Sequence, residues 1–136
     1  MKSNLVRVSI LVLGAAGAAF AQTPHTVRAD IPFDFAVAGE TMPAGHYEID
    51  TRSAAMIVVR GANSGRTAIV NTADARTLDR QQEARLVFHR YGDQYFLHQV
   101  WTTDLNAGRE LPQTRKERAL AKGPSNAKRV VIAASR

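Results

Sequence analysis

From Thr26 to Val37 the chain alternates: Val27, Ala29, Ile31, Phe33, Phe35 and Val37 take every second position, with mostly polar residues between them. A period of two turns one strand face toward a core and the other toward water. Pro32 lacks a backbone donor, so the run lies at a sheet edge or bulges there. Gly39 to Gly45, GETMPAG, reads as a turn, in which Pro43 fixes φ and the glycines permit reversal. His46 to Asp50 alternates again, with Tyr47 and Ile49 directed inward.

Met56–Arg60 (MIVVR) and Arg66–Val70 (RTAIV) flank Gly61–Gly65, which predicts a hairpin. Met56, Val58 and Val70 fall on one face, and Ile57, Val59 and Ile69 on the other. Apolar residues on both faces predict a central pair covered on both sides. Asn71 to Ala84 is polar, with Leu78 as its only large apolar residue, and reads as a long loop.

A second hairpin is clearer. Arg85–Tyr91 and Gln94–Thr102 flank Gly92-Asp93, where glycine in first place suits a type II′ turn. Pairing Tyr91 with Gln94 sets His89 opposite Phe96, Phe88 opposite Leu97, Val87 opposite His98 and Leu86 opposite Gln99. In that register Leu86, Phe88, Tyr95, Leu97 and Trp101 share the core face. Val87, His89, Phe96, His98 and Val100 share the other.

Thr114-Arg115-Lys116-Glu117 matches a capping box and opens a helix over about 114–122, ended by Gly123 and Pro124. In the tail, 123–136, Val130-Val131-Ile132 can supply a last edge strand. Together these elements predict an all-β fold. It would be a small antiparallel β-sandwich or partly open barrel of about six to eight strands with one short C-terminal helix.

The first 21 residues change where such a domain belongs. Lys2 and Arg7 form a basic start, Val8 to Phe20 is apolar, and Ala19-Phe20-Ala21 has small residues where signal peptidase reads. This predicts a signal peptide over 1–21, cleaved after Ala21, and a single exported domain over 22–136, periplasmic or released. The apolar run is shorter than the roughly 20 residues a spanning helix needs, so the processed chain is not membrane-spanning. Cysteine is absent, so stability rests on packing without disulfides.

Net charge is +6 for the whole chain. Without Lys2 and Arg7, 16 basic residues face 12 acidic ones. No Lys/Arg block of the kind that signals nucleic-acid binding stands out, and an exported protein rarely meets nucleic acid. The excess favours an anionic cell-envelope component or acidic polysaccharide as partner; spread along the chain, it would simply keep the domain in solution.

Ile31-Pro32-Phe33-Asp34-Phe35, Met42-Pro43-Ala44-Gly45-x-Tyr47, Leu86-Val87-Phe88, Tyr95-Phe96-Leu97 and Lys116-Glu117-Arg118 together resemble a group of small exported bacterial proteins of unknown function. The resemblance runs from about Ala29 to Ala121, with Met42 in place of the group's leucine. It implies an exported β-domain and carries no catalytic residue.

Candidate chemistry is sparse. His89 and His98 fall on one face at diagonal cross-strand positions, near enough for two imidazoles to meet a metal or a small ligand. His46, Glu48 and Asp50 share one strand face, which any wet strand also shows. Asp30 and Asp34 would be the paired carboxylates of a disguised hydrolase. No nucleophile–base–orienter set or cofactor motif is recognisable, so an enzyme is not expected. The expected binding surface is Arg85, Arg90 and Tyr91 on the second hairpin.

Overall fold

A computed structural model describes residues 25–53, 55–78, 83–102 and 107–135. The expected signal peptide and its cleavage point lie outside the described residues. Among these residues, eleven strands and one helix follow in order: β1 (Thr26–Ile31), β2 (Phe35–Val37), β3 (Glu40–Met42), β4 (Gly45–Asp50), β5 (Met56–Gly61), β6 (Thr67–Asn71), β7 (Ala73–Arg76), β8 (Arg85–Tyr91), β9 (Gln94–Trp101), β10 (Ala107–Glu110), α1 (Arg115–Ala121) and β11 (Lys128–Ala133). The all-β class with one short helix is what the patterning predicts.

One sheet runs β1-β4-β5-β6. The other runs β11-β8-β9-β10-β7, with the β2–β3 hairpin attached through β2 to β9. Their facing sides enclose the core, where Ile31, Phe35, Met42, Ile49, Ile57, Val59, Leu86, Phe88 and Val100 are fully buried. At roughly 1.5–3 kcal/mol for each large apolar side chain, this burial is the main stabilising term.

The first alternating run is two strands rather than one. At Pro32 the chain leaves the first sheet, where Ile31 pairs with Gly45, and enters the second, where Ala36 pairs with Phe96. Proline fits this crossing because it has no ladder donor to lose. Phe33 fills the corner, stacked on Tyr95 at 3.7 Å and edge-on to Phe88 at 5.0 Å. Asp34 fastens it by accepting the Ala44 amide at 2.8 Å.

Other expectations need correction. GETMPAG is not one turn: the reversal falls at Ala38-Gly39, both with positive φ, and Glu40–Met42 pairs back on β2. In the β5–β6 hairpin Ile57 faces Val70 and Val59 faces Ala68, so these four form the buried face. Met56, Val58 and Ile69 look outward, with Ile69 62% exposed. The pair is therefore covered on one side only, and β6 is a sheet edge. The polar 71–84 stretch contains β7, paired with β10. Three such short strands, β3, β7 and β10, with the split at Pro32, raise the strand number above the expected six to eight.

The β8–β9 register holds from Tyr91–Gln94 to Phe88–Leu97 and then slips: Val87 pairs with Gln99 and Leu86 with Val100. His98 is the extra residue of this bulge. A bulge exchanges the faces beyond it, so Val100 enters the main core. Trp101 joins Val87 and Ala75 in a separate cluster on the outer side of the second sheet. Gly108 is opposite Trp101, and a Cβ there would lie 2.7 Å from the indole.

The C-terminal tail does form an edge strand, pairing with β8 from Lys128–Arg90 to Ala133–Arg85. Ser135 then exchanges two 2.8 Å backbone hydrogen bonds with Arg28 of β1. That bridge stitches the two sheets along one side. The result is a partly open barrel.

Candidate functional site

The outer face of the second sheet carries a row of four ionisable side chains. Thr114 caps α1, its hydroxyl accepting the Glu117 amide at 3.2 Å. In many capping boxes the third-position carboxylate reaches back toward the cap. Here it turns inward, where Glu117 is 4% exposed. Its Oε1 accepts from His89 Nδ1 at 3.1 Å and from the Tyr91 hydroxyl at 3.4 Å. The His89 ring stacks on His98 at 3.9 Å between centroids, tilted by 25°. His98 Nε2 lies 3.3 Å from Glu110 Oε1.

The order along the face is thus Glu117, His89, His98, Glu110, running from a buried carboxylate to a half-exposed one. Burial, together with the neighbouring His89, holds the His98 imidazole below its ordinary pKa, with Glu110 and Glu117 opposing that shift. Burial and the Glu117 carboxylate push the Tyr91 phenol up. At neutral pH the row therefore presents a neutral His98 to its surroundings.

His89 and His98 do come together, as the diagonal spacing predicts. Near-parallel stacked imidazoles keep their lone pairs in separate planes, however, and the nitrogens named above face separate carboxylates. Among the described residues no group of three or more His, Asp or Glu is placed to hold a metal ion. Beside His98 opens a cleft of about 460 Å³, lined also by Asn71, Thr72, Ala73, Glu110, Leu111 and Pro112.

The other candidates are scattered. Asp30 contacts His46, Glu48 lies 3.5 Å from Arg28, and Asp50 is bonded bidentately to Arg52, which lowers its pKa. Asp34 serves the Pro32 corner, so Asp30 and Asp34 do not act as a pair. Tyr91 is 3% exposed, which removes it from the expected binding surface. Arg85 sits over the Trp101 ring, and Arg90, five positions on, lies over Tyr95 on the opposite side of β8. The three residues form no common patch.

The basic excess is not spread along the chain. Residues 22–112 contain nine basic and eleven acidic residues, whereas 113–136 contain seven basic and one acidic. The one acid is Glu117, buried and engaged from within. Arg115, Lys116, Arg118, Lys122, Lys128 and Arg129 are all exposed, on α1, β11 and the turn between them. Arg129 pairs across the ladder with His89, and Lys128 with Arg90. The sequence contains this segregation as a count by segment. An average over the whole chain hides it. Glu110 and the inward turn of Glu117 had no comparable signal, because both depend on where β10 and α1 dock. Comparisons with family models, with curated proteins and with solved structures returned no match.

Proposed function

We propose that this chain is an exported, non-enzymatic β-domain that binds anionic material of the cell envelope through the face carried by α1 and β11. The observation that carries this reading is the segregation of charge: a nearly balanced, slightly acidic body and a C-terminal segment with seven bases against one buried acid. Clustered cations raise the local concentration of a polyanion and bind it with strong salt dependence. Glu117 supports the same face structurally, because its bonds to His89 and Tyr91 hold α1 against the sheet.

Binding of the protein to immobilised polygalacturonate tests this. Retention at about 50 mM salt should weaken at least tenfold by about 300 mM, as screening of exposed charges requires. The triple variant Arg115→Gln, Lys116→Gln, Arg118→Gln should lose about tenfold in affinity, and Arg60→Gln on the first sheet should lose almost none. Equal losses in the two variants would defeat the reading.

The cleft beside His98 supports a second reading, carriage of a small ligand. A cleft of about 460 Å³ falls within the size range of small-molecule sites, and the His98–Glu110 pair supplies two neighbouring polar groups in its lining.

A further inference from the structure

At the turn end of the second hairpin, Arg90, Gly92 and Asp93 form one wall of a groove of about 410 Å³, and Ser125, Asn126 and Lys128 form the other. Arg90 and Lys128 are directly opposed across the β8–β11 ladder. Like charges in that position destabilise a sheet, and among the described residues little offsets them. Lys128 makes no ion pair there. The acidic partner of Arg90 is the fully exposed Asp93, 4.0 Å away. Arg90 is nevertheless held in place. Its Nε donates to the Gly92 carbonyl at 2.7 Å, and its guanidinium lies over Tyr95, 5.4 Å from the ring centroid.

We infer that this groove is a sugar-acid site: Arg90 and Lys128 clasp the carboxylate of one uronate residue of an acidic polysaccharide. A guanidinium whose Nε is already engaged still offers its terminal N–H groups, and Lys128 adds a second cation across the ladder. The Ser125 hydroxyl, the Asn126 amide and the Asp93 carboxylate are the donors and acceptors that sugar hydroxyls need. No wall of the groove carries an apolar side chain for a bilayer. Its concave shape also suits a chain of sugar rings better than a flat layer of headgroups. The inference rests on the reading of a cationic C-terminal segment and adds a defined site on the Tyr95 side of β8, opposite the side on which α1 packs.

The test uses protein recovered from cells expressing the full chain, titrated with trigalacturonate in a calorimeter. Saturable binding with one trimer per protein is expected, at least tenfold weaker in Arg90→Gln and in Lys128→Gln. A neutral galactose trimer should not bind. Urea midpoints followed by Trp101 fluorescence establish that each variant is folded. If long polygalacturonate is retained while the trimer does not bind, the groove is refuted and the cationic face stands. If neither binds, both fall. Binding to phosphatidylglycerol vesicles that is as tight as trimer binding and equally weakened by both variants would refute the sugar-acid assignment in favour of a lipid surface.

Discussion

Glu117 and His98 show how one polar side chain can govern its surroundings. A carboxylate buried under a helix would be costly alone, since an unpaired buried charge loses its hydration. Two donors from β8 make it a fastening instead. His98 gives this row a measurable pH response. In the unfolded chain its imidazole titrates near the ordinary value of about 6.5, and in the fold burial and His89 hold it lower. Between those values the unfolded state binds the extra proton, so stability falls as pH drops through that window. Glu117 from α1, Glu110 from β10, His89 from β8 and Arg129 from β11 surround this ring; the Arg129 charge adds to the lowering and the two carboxylates oppose it. Urea unfolding at pH 7 and pH 5.5, read by Trp101 fluorescence, should show lower stability at the acid pH. The loss should be smaller in His98→Gln. An equal loss in both proteins would remove His98 as its source.

Elements made of strong local signals are legible in the sequence. The β8–β9 hairpin, with positive φ at Gly92, needs only alternation and a glycine. The α1 cap needs only Thr114 and the spacing to Glu117. Elements defined by a partner are not legible there. In β10, AGRE has no large apolar residue to mark it as a strand, because Gly108 gives its space to the Trp101 ring. The mate of β10, β7, lies in a stretch that reads as loop for the same lack of pattern. The bulge at His98 is equally hidden, and it alone moves Trp101 from the expected core to the outer cluster. A direct check follows from that packing. Gly108→Val should push the indole aside, destabilise the protein by about 1–3 kcal/mol and shift the emission of the single tryptophan. A variant with unchanged emission and midpoint would mean that β10 does not press on Trp101.

At the scale of the whole molecule, two sheets meet in two different ways. The chain itself crosses between them at Pro32, at Pro43-Ala44 and at Thr72, and the Arg28–Ser135 bridge joins them along one side. The bridge is two hydrogen bonds, each contributing about 1 kcal/mol. Ser135→Pro removes one donor, so a loss of roughly 1–2 kcal/mol in urea unfolding is expected, with the α1 and β8–β9 structure intact by circular dichroism. No loss would show that the bridge adds nothing to the hold of the core and the chain crossings.

That bridge also has a consequence in time. The strand at Thr26 finds its last neighbour only when residue 135 has left the ribosome. Pairings so far apart in sequence form late, since the intervening loop must close first. During synthesis, therefore, the nascent polypeptide stays unlatched. For the export proposed above, it is a thread that a translocation pore can still draw through, and the clasp shuts only on the far side.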